Sequence, residues 1–61
     1  MKWRIQYFDL NKKSQNYYSD SVSEAVKWAL LTMQGAGGGV AFLLEKVSEN
    51  KYEVVEEVRA W

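Results

Sequence analysis

The sequence predicts an α+β domain in which a four-stranded antiparallel sheet carries one helix on one face. Three observations predict it: residues 2–10 and 52–61 alternate between apolar and polar side chains, residues 21–34 repeat apolar side chains at helical spacing, and residues 40–47 are largely apolar. The elements then follow as β-β-α-β-β. A strand order of 2-1-3-4 keeps all neighbours antiparallel, and residues 1–61 form a single small domain.

The first two elements form a predicted hairpin. In Lys2–Leu10, Trp3, Ile5 and Tyr7 share one face, which is the period of a half-buried strand. A polar turn follows at residues 11–13, and Ser14–Ser19 is expected to return as the second strand.

The helix is predicted over Ser21–Gln34. Ser21 is a favourable N-cap residue, and Glu24 three positions later completes the capping-box pattern. Gly35 opens a glycine-rich run to Gly39 that is expected to end the helix. The side chains that repeat at i, i+3, i+4 and i+7, and should face the sheet, are Val22, Ala25, Val26, Ala29, Leu30 and Met33.

The last two elements form a second predicted hairpin. Val40–Val47 is apolar on both faces through Leu44, as expected for a central strand, and residues 49–51 form the turn. Tyr52–Trp61 returns in alternation, with Glu56 as the exception on its apolar side. The glycine run is interpreted as a helix terminator. A phosphate loop would precede a helix, although a mobile loop that orders on a partner stays open.

Composition restricts the function. The 61 residues contain no cysteine and no histidine, so neither disulfides, a zinc site nor a cofactor is expected. The adjacent carboxylates of Glu56 and Glu57 face opposite ways on a strand, so no catalytic pair is expected and the protein is predicted not to be an enzyme. Eight basic residues balance eight acidic ones, and no apolar run approaches membrane-spanning length. A cytoplasmic location without membrane attachment is the expectation.

Apolar side chains outside the predicted core indicate a protein-interaction domain. Trp28 and Leu31 lie off the helix stripe, on the side that carries Glu24 and Lys27. Leu43, Val55 and Trp61 are expected on the sheet face that the helix leaves uncovered, or on the opposite face if the register differs by one residue. Because the core is small, self-association as a twofold dimer, binding of a partner protein, or both are expected, as in a small regulator or inhibitor.

The alternative is a nucleic-acid-binding module. The first hairpin combines basic and aromatic side chains that can hold phosphates and stack on bases. These residues are Arg4, Lys12, Lys13, Tyr17 and Tyr18. Two adjacent lysines are a smaller basic excess than nucleic-acid surfaces normally show, which favours the protein-interaction hypothesis.

Overall fold

The computed structural model describes residues 1–59 and confirms the predicted α+β architecture. The strands pair antiparallel throughout, in the predicted order β2-β1-β3-β4. The elements of the described residues are β1 (Trp3–Phe8), β2 (Ser14–Ser19), α1 (Val22–Ala36), β3 (Val40–Ser48) and β4 (Lys51–Val58). The last two residues of the strand predicted over 52–61 lie outside the described residues.

The turn between β1 and β2 is built around Asp9. Its carboxylate accepts hydrogen bonds from the backbone N–H groups of Asn11 and Lys13, both at 2.9 Å. Its carbonyl accepts from the N–H of Lys12, which has a left-handed φ of 65°. The Asp9 carboxylate thus provides the hydrogen-bond acceptor for two backbone N–H groups of the turn.

Helix α1 begins as predicted and ends two residues later than predicted. Ser21 Oγ accepts from the N–H of Glu24 at 3.3 Å, which is one half of a capping box. The N–H of Ser21 donates to Ser19 Oγ at 3.0 Å. Gly35 lies inside the helix, and Gly37 forms the left-handed C-cap with a φ of 78°. A single glycine is therefore tolerated in the last turn, and the chain leaves the helix only where positive φ is adopted.

The core lies between α1 and one face of the sheet. Alanines on the helix, Ala25 and Ala29, are fully buried and allow the helix to lie close to Ile5 and Tyr7 of β1. The remaining buried members of this cluster are Met33, Ala41, Leu43 and Val58. Val22, which was predicted in the core, is 42% exposed because it lies in the first turn of the helix.

A β-bulge in β4 changes which residues share a face. Leu43 pairs with Glu56 and Leu44 pairs with Val54, so Val55 is the extra residue on β4. The prediction of unbroken alternation along this strand is therefore wrong. Because of the bulge, Glu56 and the buried Val58 lie on the face that carries the helix, whereas Tyr52 and Val54 lie on the opposite face.

Candidate functional site

The candidate site is the sheet face that lies opposite α1, called here the open face. Because side chains alternate along a strand, the buried Ile5 and Tyr7 assign the other residues of β1 to the open face. The cross-strand register extends the assignment to the neighbouring strands. By register the open face carries Arg4, Gln6, Phe8, Ser14, Asn16, Tyr18, Val40, Phe42, Leu44, Lys46, Tyr52, Val54 and Glu57.

An arginine held by two tyrosines occupies one end of the open face. Arg4 donates from Nε and Nη2 to Asn16 Oδ1 at 3.0 and 2.8 Å. Its guanidinium carbon lies 5.9 Å from the ring centroid of Tyr18 and 5.8 Å from that of Tyr52. The two rings are 6.0 Å apart, edge to face, and the Tyr52 hydroxyl donates to the carbonyl of Met1 at 2.8 Å. These contacts fix the cation before any partner arrives.

An apolar region continues the open face from this arginine. Phe8 and Phe42 are half-buried and pack edge to face with centroids 6.3 Å apart. Leu44 lies in register between Arg4 and Val54 and is 6% exposed although no helix covers it. Val54 is 59% exposed. The open face therefore has an ordered apolar floor and an accessible apolar side chain at its edge.

Charges are sorted between the two faces of the sheet. The register assigns Glu45, Glu53 and Glu56 to the face that carries the helix. Arg4 and Lys46 belong to the open face, where the carboxylate of Glu57 is paired with Arg59 Nε at 3.0 Å. A chain that is neutral overall thus presents a small positive excess on the open face.

Trp28 and Leu31 do not form the exposed pair that the helical spacing predicted. The Trp28 ring stacks on Tyr17 of β2 with centroids 4.9 Å apart and planes 6° apart, and it packs against the core. Leu31 is 58% exposed. Trp28 is thus an intrachain contact over the outermost strand, and Leu31 alone remains available to a partner.

The residues predicted on the uncovered face lie in different environments. Leu43 is 4% exposed and belongs to the core beneath α1, so its predicted place at an interface is wrong. The register is shifted by one residue, with Phe42 and Leu44 on the open face. Val55 is 51% exposed at the bulge. Trp61 lies outside the described residues.

The basic and aromatic residues proposed for nucleic acid are only partly brought together. Arg4 and Tyr18 are cross-strand partners on the open face. Tyr17 points to the opposite face and stacks on the helix. Lys12 and Lys13 lie in the turn beyond Phe8, and Lys12 is eight positions after Arg4 in the chain. The predicted five-residue surface therefore does not form a continuous patch.

One feature of the open face was absent from the sequence prediction, and a second appeared there only as the alternative register. Tyr52 reaches Arg4 from β4, although β1 and β4 are not neighbouring strands. Phe42 replaces Leu43 as the open-face residue of β3. The doublets Val54-Val55 and Glu56-Glu57, which interrupt strict alternation, were the available signal for the bulge that sets this part of the register.

The glycine run has structural roles that account for its composition. The carbonyl of Gly38 accepts a hydrogen bond from the Tyr7 hydroxyl at 2.7 Å. A Cβ at Gly39 would lie 2.5 Å from the carbonyl oxygen of Phe8 and 2.7 Å from the Tyr7 ring. Beside this segment lies a cavity of about 120 Å³, lined by Met33 and Val40 among others. That volume is below the roughly 300 Å³ at which small-molecule pockets begin.

Comparison of the chain with protein-family models, curated proteins and solved structures finds no match. Within residues 1–59, no three acidic side chains are grouped so that they could hold a metal ion. The described part of the chain also contains no helix of the length and hydropathy needed to cross a membrane.

Proposed function

We propose that this protein is a non-enzymatic protein-interaction domain that binds a partner on its open face. The occupant is an apolar segment of another protein that carries at least one acidic side chain. The proposal rests on three features that share one uncovered sheet face. They are a fixed Arg4, the Phe8–Phe42 pair and the exposed Val54.

The apolar part of the surface supports a protein occupant. Interface anchors are commonly aromatic side chains surrounded by groups that exclude water, and Phe8 and Phe42 are half-buried in such a setting. Val54 offers an aliphatic contact, which suits a protein side chain better than a nucleic-acid base.

The charged part supports an acidic residue in the occupant. Arg4 is already oriented by Asn16 and the two tyrosine rings, so binding costs little of its side-chain entropy. Lys46 adds a second positive charge on the same face, opposite Tyr52. A carboxylate that reaches this end of the open face meets two cations and no unpaired acidic group among the described open-face residues.

Selection from a library of displayed random peptides tests the proposal. We expect enriched peptides to combine apolar residues with an acidic one and to bind the purified protein in a fluorescence anisotropy titration. Phe42→Ala and Val54→Lys should each weaken binding by about tenfold or more, as loss of an interface anchor does. Leu31→Lys, on the exposed part of the helix, is the matched control and should leave the affinity unchanged.

A second candidate function is favoured by one observation, the Arg4 guanidinium within 6 Å of two tyrosine rings. Aromatic and cationic groups of this kind also bind single-stranded nucleic acid. Mixed-sequence single-stranded DNA and RNA should be titrated at low and moderate salt alongside the peptides. Binding that falls steeply with salt and is lost on Tyr52→Ala, together with no enrichment of peptides, overturns the protein-interaction proposal in favour of this one.

A further inference from the structure

Strand β2 is an edge strand that lacks the usual protection against pairing with another chain. Its six residues, Ser14–Ser19, include no charged side chain and no proline. Edge strands of natural sheets are normally protected by charges, bulges or covering elements. The opposite edge, β4, has a bulge at Val55 and three glutamates. The two edges of the same sheet therefore differ in their readiness to accept a further strand.

The outward-facing backbone groups of β2 follow from the hairpin. The N–H of Asp9 donates to the carbonyl of Lys13 at 2.9 Å, so these residues form a hydrogen-bonded pair. Bonded and non-bonded pairs alternate in an antiparallel ladder. Counting along the register, Gln15, Tyr17 and Ser19 direct their N–H and C=O groups to β1. Ser14, Asn16 and Tyr18 direct theirs outward, away from the sheet.

We propose that β2 of one copy pairs antiparallel with β2 of a second copy, about a twofold axis at Asn16. In this register Asn16 lies opposite Asn16 of the second copy, and Ser14 lies opposite Tyr18. All three outward-facing residues of each copy find partners, which gives about six main-chain hydrogen bonds. The two four-stranded sheets become one continuous sheet.

The charges at the ends of β2 complement each other in this register. At each end of this ladder, the turn residue Lys12 of one copy comes near Asp20 of the other. Both side chains are exposed in the single chain. The twofold axis repeats the pair, so two favourable contacts flank the shared ladder. A β4–β4 dimer would instead bring glutamates of the two copies together.

The helix also supports an occupant beyond the β2 edge. Trp28 stacks on Tyr17, so the side of α1 that carries Trp28 lies over the outermost strand. Leu31 is about 60° further round the helix than Trp28, away from the buried Ala29, and is 58% exposed. A second copy across the edge brings the corresponding side of its helix toward these residues.

This dimer uses the backbone edge of β2, whereas the proposed partner site uses side chains of the open face. The β2 edge lies beside the open face and leaves Phe42 and Val54 uncovered. Failure of one proposal therefore leaves the other standing, and variants on opposite edges separate them.

The first experiment uses the unaltered protein. Sedimentation equilibrium should give a mass that rises from one chain to two with concentration. Hydrogen exchange followed by NMR should show the amides of Ser14, Asn16 and Tyr18 exchanging fast in dilute protein and slowly in concentrated protein. The amides of Gln15 and Tyr17 already bond to β1 and serve as the internal reference.

A pair of lysine substitutions provides the second test. Asn16→Lys places like charges opposite each other on the twofold axis and should raise the dimer dissociation constant by about tenfold. Val54→Lys, the matched control on the other edge, should leave the dissociation constant unchanged. Circular dichroism of dilute samples confirms that each variant is folded, because Asn16→Lys also removes the acceptor of Arg4.

Three outcomes overturn the proposal. One is a single-chain mass up to millimolar concentration. Another is a dimer in which the Asn16 amide exchanges at the same rate at all concentrations. The third is a folded Asn16→Lys variant that dimerises as the unaltered protein does. Concentration-dependent protection limited to the outward-facing amides of β2 supports it.

Discussion

Two glycines of the same run, Gly35 and Gly39, are expected to respond oppositely to substitution by alanine. At Gly39 the new Cβ would lie 2.5 Å from the Phe8 carbonyl oxygen, and the φ of 115° is itself unfavourable for alanine. Gly39→Ala should therefore lower the free energy of unfolding by about 3 kcal/mol or more. Urea denaturation followed by tryptophan fluorescence measures this loss.

Gly35→Ala is the matched control for that experiment. Gly35 lies in the last turn of α1, and a Cβ there has no neighbouring atom within 4 Å. Alanine has the higher helix propensity, so the free energy of unfolding should rise by about 0.5–1 kcal/mol. Destabilisation by Gly35→Ala would mean that the helix ends before this residue.

A like-charge pair in the second hairpin is expected to lower the stability of the fold. Glu45 and Glu53 lie directly opposite each other on β3 and β4, and Glu45 is ion-paired with Lys2 at 3.4 Å. Glu53→Lys converts a repulsive cross-strand pair into an attractive one and should stabilise the fold by about 0.5 kcal/mol. The gain should shrink at about 1 M salt, whereas a gain that is independent of salt would argue against an electrostatic cause.

The contact between α1 and β2 includes one ring stack. Trp28 and Tyr17 lie parallel with centroids 4.9 Å apart. A double-mutant cycle of Trp28→Ala and Tyr17→Ala should give a coupling energy of about 1 kcal/mol in the monomer. Because loss of a dimer also lowers apparent stability, the cycle is measured at several protein concentrations. Additive losses would show that each ring packs independently on the core.

Elements with strong local signals were predicted correctly. The alternation of Trp3, Ile5 and Tyr7 and the cap at Ser21 each depend on neighbours within a few residues, and both are confirmed. The strand order followed because antiparallel neighbours with short connections leave few alternatives.

The predictions that were wrong or incomplete depend on contacts between residues that are distant in the sequence. Helical spacing places Trp28 off the apolar stripe, but whether that side of the helix is covered depends on the position of α1 over β2. The bulge at Val55 reverses the faces of the residues on either side of it, so period-two counting along β4 fails beyond this point. The cluster of Arg4, Tyr18 and Tyr52 joins side chains from three strands, and no sequence spacing predicts it.

For the whole molecule, the number of helices determines what is left exposed. One helix covers one face of a four-stranded sheet, and the described residues contain no second helix to cover the other. The apolar residues of β3 nevertheless alternate onto both faces, with Ala41 and Leu43 beneath the helix and Phe42 and Leu44 on the open face. The open face is therefore a consequence of the chain's small size combined with a central strand suited to burial on both sides.

The β2-edge dimer has a consequence for the stability of the whole molecule. If the native state is a dimer and the unfolded state a monomer, the midpoint of thermal unfolding rises with protein concentration. A hundredfold increase above the dissociation constant should add roughly 1.4 kcal/mol per chain, since the gain of about 2.7 kcal/mol is shared by two chains. For a domain of this size that corresponds to a rise of about 5–10 °C. Val54→Lys should retain this dependence, whereas Asn16→Lys should melt at the same temperature throughout the range in which it is monomeric. A midpoint that is independent of concentration in the unaltered protein would contradict a dimeric native state, because mass action requires the shift for any two-chain assembly that separates on unfolding.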